Sequence, residues 1–187
     1  MEIHLIRHTK PDIAKNICYG QKNIGVLPSF EAEKDLFLSK LSQDFDAVFT
    51  SPLERCAILA HGIIGDKALM DSRLMEYNFG EWEGRPWAEI PQNELDPWME
   101  DFVNIPATGG ESITEMYARI NEFIEELLAK DFQKILIVTH SVVIRCFWAY
   151  TLEIPLKNIF RIKVEFGDVW KFKIDRNPML NAFVGID

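Results

Sequence analysis

The run Ile135-Leu136-Ile137-Val138 constrains this chain more than any other segment. Four consecutive apolar residues lie between Lys134 and Thr139, and three of them are β-branched. A strand with one face in water alternates apolar and polar residues, whereas a continuous run is hidden on both faces, as in a parallel sheet. Parallel strands require long crossovers, so helices must cover that sheet. The rest of the chain supplies the parts. Strands are expected at 2–7, 47–50 and 67–70, and helices over 30–41, 51–64, 112–130 and 142–150. Ser51-Pro52-Leu53-Glu54 and Ser112-Ile113-Thr114-Glu115 both read as capping boxes, in which the serine hydroxyl and the glutamate satisfy each other's free backbone N–H groups. Residues 159–164 and 169–174 are expected to pair as a closing hairpin around Gly167-Asp168. A chain of 187 residues with no repeat or low-complexity linker reads as one α/β domain.

In open sheets of this class, ligands bind beyond the carboxyl ends of the strands. Three expected strands run into reactive residues there: Arg7-His8, Ser51 to Arg55, and Thr139-His140-Ser141. Neutral imidazole is a competent nucleophile toward phosphorus, and a phosphohistidine divides one hard displacement into two easier ones. Arg7 and Arg55 offer planar donors for phosphate oxygens. His140 offers a further contact to the transferred group. Cleavage of a phosphate ester leaves an alkoxide, so a general acid is needed. Glu76, flanked by Leu74, Met75, Tyr77 and Phe79, is the first candidate, with Glu81 and Glu83 as rivals. His4 and His61 have no comparable setting and read as structural.

Composition narrows the partners. Twenty Lys and Arg against 29 Asp and Glu give a formal net charge of −9, a poor match to nucleic acid or to a membrane surface. An anionic substrate must then be held by a few focused cations. Cys18, Cys56 and Cys146 are odd in number and lack a CxxC spacing, so neither disulfides nor a zinc site is expected. Phosphate-binding glycine loops, HExxH and an acidic triplet for magnesium are absent from the sequence, and no metal or other cofactor is expected. With no apolar stretch near the length of a membrane span and no leader pattern, the expected location is the cytoplasm.

Five segments together resemble the histidine phosphatase superfamily, the group that includes the cofactor-dependent phosphoglycerate mutases. They are Leu5-Ile6-Arg7-His8-Thr9, Ser51-Pro52-Leu53-Glu54-Arg55, the stretch from Leu74 to Gly84, Gly109-Gly110-Glu111-Ser112, and Val138-Thr139-His140, all in the family's order. The resemblance implies a three-layer α/β/α sandwich with a mostly parallel sheet. It implies His8 as the phosphorylated nucleophile, Arg7, Arg55 and His140 as the phosphate pocket, and Glu76 as proton donor. It also implies an insertion around 82–108 that covers the site. Within the family the likeness is greatest to the α-ribazole phosphatases of cobalamin biosynthesis, through Arg7 to Asp12, Cys18-Tyr19-Gly20-Gln21, Phe79 to Trp87 and Asp96-Pro97-Trp98. Tyr19, Gly20, Gln21, Trp82 and Ser141 are then the expected substrate contacts, with Tyr19, Trp82, Trp87 or Trp98 packing on a flat base. The partner implied is a small-molecule phosphate ester, and a homodimer is left open. A broad sugar-phosphate phosphatase, a mutase and a non-catalytic phosphate-ester binder are the rival readings. Thr9-Lys10 and Ser141-Val142 stand where many relatives carry Gly-Glu and a glycine, which bears on substrate choice.

Overall fold

The computed structural model describes residues 1–42 and 44–187. Six strands form one sheet: β1 (Glu2–Arg7), β2 (Ala47–Thr50), β3 (Leu69–Met70), β4 (Lys134–Thr139), β5 (Val169–Lys173) and β6 (Ala182–Ile186), in the order β3-β2-β4-β1-β5-β6. The first four in that order are mutually parallel, and β5 and β6 continue the sheet antiparallel. The continuous apolar run is the centre of β4, between β2 and β1.

Among the described residues, five helices complete the layers: α1 (Phe30–Lys40), α2 (Glu54–Ile64), α3 (Gln92–Glu100), α4 (Ile113–Leu128) and α5 (Ser141–Leu152). The period of two along each strand sends alternate residues to opposite faces. Ile3, Leu5, Ile135 and Ile137 pack with Ile120, Phe123, Val143 and Phe147 from α4 and α5. Ile6, Val48, Leu136 and Val138 pack with Phe37, Cys56, Leu59 and Ala60 from α1 and α2. The result is a sheet between two helical layers, the expected three-layer sandwich.

Ser112 and Glu115 form the expected capping box. Glu115 N donates to Ser112 Oγ at 3.2 Å, and Ser112 N donates to Glu115 Oε2 at 2.7 Å. The box expected at Ser51 does not form. Helix α2 starts at Glu54 behind an extended Leu53, with no side-chain cap. The Ser51 hydroxyl lies 2.8 Å from His140 Nε2 instead, a partner 89 residues away that local sequence cannot reveal. The expected hairpin is also corrected. Residues 156–161 form a 3-10 turn entered from Pro155, and β5 pairs with β1 and β6. The apolar residues at 159–164 serve packing, with Ile159 and Val164 buried.

Between Gly80 and Pro106 lie two 3-10 turns, helix α3 and a compact aromatic cluster. Trp98 packs at 5.6 Å from Trp82 and 6.2 Å from Trp87, ring centre to ring centre. The Trp98 indole N–H donates to Tyr77 Oη at 3.1 Å, so the polar end of this large buried ring is satisfied.

Candidate active site

The carboxyl ends of β1, β4 and β2 bring Arg7-His8, His140 and the Ser51–Arg55 segment together at one edge of the sheet. His8, Arg55 and His140 are fully buried. The His8 backbone N–H donates to Thr139 O at 2.9 Å, which extends the β1–β4 ladder by one bond and fixes the ring's point of departure. His8 Nδ1 lies 2.6 Å from the Thr9 carbonyl oxygen. A carbonyl only accepts, so Nδ1 carries the proton and Nε2 carries the lone pair. Nε2 is buried and has no hydrogen-bond partner among the described residues. Burial first, then the charges of Arg55 and Arg7, hold the His8 imidazole well below its ordinary pKa. The ring is therefore neutral at neutral pH, with a free lone pair beside two guanidinium groups.

His140 caps α5, and its ring centre lies 5.1 Å from that of His8. Its Nε2 faces Ser51 Oγ at 2.8 Å and Cys56 Sγ at 3.4 Å. Burial, then Arg55, His8 and Arg7, also hold it well below the ordinary value. Arg7 donates from Nη1 to Val164 O at 3.0 Å, and its guanidinium lies 3.8 Å from the ring centre of Phe166. Arg55 donates from Nη2 to Gly20 O at 2.7 Å and from Nη1 to Lys22 O at 2.9 Å, with Tyr19 5.3 Å away. The Nε atoms of both arginines are buried without a partner among the described residues.

Two buried, neutral imidazoles have a consequence for stability. The unfolded imidazole titrates near 6.5, and the folded ones titrate lower. Below about pH 6.5 the unfolded chain therefore binds more protons, and stability falls as pH falls toward the folded values. We expect the thermal midpoint to decline on acidification through that window. The decline should be shallower in a His8→Ala, His140→Ala double variant. Parallel curves for the two proteins would show that these rings do not carry the effect.

Glu76 is 5% exposed, on a segment without regular structure after β3. Its Oε1 accepts from Val142 N and Tyr77 N, both at 3.1 Å, and Oε2 accepts from Ser141 Oγ at 3.2 Å. The carboxyl group thus sits at the N-terminus of α5, fixed in place by two backbone N–H groups and one hydroxyl. The rivals lie elsewhere. Glu83 Oε1 accepts from Gln21 N at 2.7 Å and Phe79 N at 3.1 Å and so ties two loops together. The Glu81 side chain lies close to Gly109.

A cavity of about 200 Å³ opens beside Glu76, lined by Tyr19, Gly20, Phe79, Trp87, Ser141, Arg145 and Phe160 among others. Of the expected substrate contacts, Tyr19, Gly20 and Ser141 line it. Trp82 does not: it is 1% exposed and its indole N–H donates to Glu94 Oε2 at 2.9 Å. Trp87 stands in its place. The Gln21 amide is also spent within the protein, donating to Glu76 O at 2.9 Å. Gly20 has φ +39°, and a Cβ there would lie 2.2 Å from Glu83 Oε1 and 2.7 Å from Tyr77 O, so only glycine fits this turn. A wider cavity of about 350 Å³, lined by Leu38, Phe45, Val48, Ile63 and Lys67, lies away from these groups and bears on none of them.

Sequence reasoning missed Ser51 as a partner of His140, and it missed Arg119, Arg145 and Phe166. Arg145 had a usable signal: it lies one helical turn beyond Ser141, on the helix that His140 caps. Among the described residues, no group of three or more His, Cys, Asp or Glu side chains converges as a metal site, and no helix is long and apolar enough to cross a membrane.

The family model described as "Histidine phosphatase superfamily (branch 1)" matches residues 3–181. A Hydrogenobacter thermophilus protein provisionally named phosphoserine phosphatase 2 is 26% identical over 171 residues, 87% of this chain and 84% of that one. The adenosylcobalamin/alpha-ribazole phosphatase of Salmonella typhimurium is 31% identical over 130 residues, 66% of this chain. The match spans 64% of that enzyme, less than two thirds of its length. Among solved structures, the alpha-ribazole phosphatase from Shigella flexneri superposes with a TM-score of 0.86 at 24% identity, covering 94% of this chain and 92% of that one. At that identity the likeness speaks for the fold.

Proposed function

The chain belongs to the histidine phosphatase superfamily, and from that premise we propose that it hydrolyses a small-molecule phosphate monoester through a phosphohistidine on His8. The observation that carries the reading is the orphaned, lone-pair-bearing Nε2 of a buried neutral imidazole, set among Arg7, Arg55 and His140. In the first step His8 Nε2 attacks phosphorus in line. The bond from phosphorus to the ester oxygen breaks, and that oxygen takes a proton from the Glu76 carboxyl group. In the second step water attacks the phosphohistidine, the P–N bond breaks, and the proton of water passes to the Glu76 carboxylate. The sum is ester plus water giving alcohol plus inorganic phosphate. The guanidinium groups stabilise charge spread over the equatorial oxygens, which is where phosphoryl-transfer catalysis comes from.

For the leaving alcohol we propose a nucleoside-like group, with α-ribazole 5′-phosphate as the first substrate to test. Tyr19, Phe79, Trp87 and Phe160 give the cavity beside Glu76 aromatic walls suited to a flat base. The likeness to the Salmonella enzyme supports the same choice. The insertion around 82–108 then acts as a cover that supplies Trp87. Three free, buried thiols suit a reducing cytoplasm.

One observation favours a second reading, a carboxylate-bearing alcohol such as serine. Arg145 lines the same cavity, donates from Nε to Ile162 O at 3.0 Å, and has no carboxylate within ion-pair distance among the described residues. A phosphate-release screen of α-ribazole 5′-phosphate, phosphoserine, 3-phosphoglycerate and sugar phosphates decides between the readings. We expect α-ribazole 5′-phosphate to have the highest kcat/KM. Arg145→Met should then lower it by less than about fivefold while costing any phosphoserine activity roughly tenfold or more, the scale of one charge-assisted contact. Preference for phosphoserine would establish the second reading. An isomer of phosphoglycerate in place of free phosphate would mark a mutase, and binding without phosphate release would mark a non-catalytic binder.

A further inference from the structure

The chemistry proposed for Glu76 needs its carboxyl group in one place, yet residues 76–79 belong to no helix or strand. No backbone ladder fixes them. A charged pair does so from outside. Arg119, on α4, grips Glu111 with a two-pronged contact: Nε donates to Oε2 at 3.0 Å and Nη2 donates to Oε1 at 2.6 Å. The side chains are 18% and 15% exposed, so water competes weakly for this pair. The same guanidinium reaches the acid-bearing segment twice, with Nη1 donating to Arg73 O and Nη2 to Glu76 O, the latter at 3.2 Å. Glu111 holds the far end: its Oε1 accepts from Asn78 N at 2.9 Å, and its own N–H donates to Asn78 O at 3.0 Å. Backbone groups of residues 73, 76 and 78 are thereby tied to one ion pair. Gln21 fills the remaining lone pair of the Glu76 carbonyl. Gly110 allows the approach, because a Cβ there would lie 2.2 Å from Asn78 O.

We infer that Arg119, locked by Glu111, is a positioning residue for the Glu76 carboxyl group. It touches neither the phosphate site nor the cavity that takes the alcohol, and it acts through the backbone that carries the acid. This inference rests on the proposed role of Glu76. The planar guanidinium is required because four acceptor oxygens on two segments must be met at once, which a lysine ammonium on a flexible stem does not reproduce.

The test uses two substrates that differ in their need for a proton. Ribose 5-phosphate releases its alcohol as an alkoxide unless a proton is supplied, whereas p-nitrophenyl phosphate releases a stable phenolate. For Arg119→Met we expect kcat/KM on ribose 5-phosphate, which reports the phosphorylation of His8 and not the later hydrolysis shared by both substrates, to fall about 100-fold, the scale of a misplaced catalytic group. On p-nitrophenyl phosphate kcat/KM should fall by less than about threefold. Arg119→Lys and Glu111→Gln should show the same split at about tenfold, and they carry the test should the methionine variant fail to fold. Equal losses on both substrates, or no loss on either, would overturn the inference. Glu76→Gln separates the two levels. If it shows the split and the Arg119 variants do not, only the positioning role fails. If Glu76→Gln shows no split, the proposed acid itself fails.

Discussion

Replacing His8 with alanine is expected to lower phosphate release by about 10⁴-fold or more, because no other group replaces the covalent route. The backbone bond from His8 N to Thr139 O does not involve the side chain, so the β1–β4 register should survive. The variant also loses a ring that burial and two arginines keep from protonating, so its stability should depend less on pH below about 6.5 than that of the native protein. The decisive measurement is covalent. Native enzyme mixed with labelled substrate and quenched in alkali should carry acid-labile phosphate, and His8→Ala should carry none. Turnover by the alanine variant near the native rate would remove His8 from the chemistry and with it the proposed mechanism.

Arg55 should show the second largest effect, and it acts in two ways at once. Its guanidinium lies at the proposed phosphate site, and it donates to the carbonyls of Gly20 and Lys22 on the loop that lines the cavity proposed for the leaving group. Arg55→Ala is expected to reduce kcat/KM by about 10³-fold, as loss of a transition-state donor does. It should also cost about 2–4 kcal/mol of stability, because a fully buried side chain is removed and two carbonyls lose their donors. Arg55→Lys keeps the charge without the fork that spans the two carbonyls, and it should recover only about tenfold of the lost kcat/KM. Denaturant midpoints measured beside kcat/KM separate the two contributions. A loss of stability with native kcat/KM would leave Arg55 a structural role alone.

These expectations differ in how far they could be read before the fold was known. The strand β4 was legible because burial on both faces leaves a continuous apolar run, a signal local to four residues. The box at Ser112 was legible for the same reason, since both of its partners lie within four residues. The box at Ser51 has the same local pattern and does not form: Leu53 stays extended, helix α2 starts only at Glu54, and the Ser51 hydroxyl meets Leu53 N and an imidazole brought by another strand. Trp82 and Trp87 could not be told apart by sequence. Both are large aromatics in one segment, and only packing against Trp98 and Glu94 decides which is buried in the cluster and which faces the cavity. The pairing of β5 with β1 was missed because an apolar segment at the right spacing competes for the same role.

By itself the sequence determined the class of fold, the places of β1 to β5 and of α1, α2, α4 and α5, and the residue types able to carry phosphoryl chemistry; it did not place β6, and it put a strand at 159–164 that does not form. The features it determined follow from periodicity, from caps and from the intrinsic chemistry of imidazole, guanidinium and carboxyl groups, all of which act over a few residues. The tertiary structure alone decided which imidazole nitrogen carries the lone pair, which tryptophan reaches the cavity, and what holds Glu76 in place. Each of those depends on a partner far away in the chain. The Thr9 carbonyl is turned toward the His8 ring by the fold around it, and the Glu111–Arg119 pair reaches the acid segment across dozens of residues. Hydrogen bonds and burial are properties of distance in space, and that distance exists only once the chain has folded.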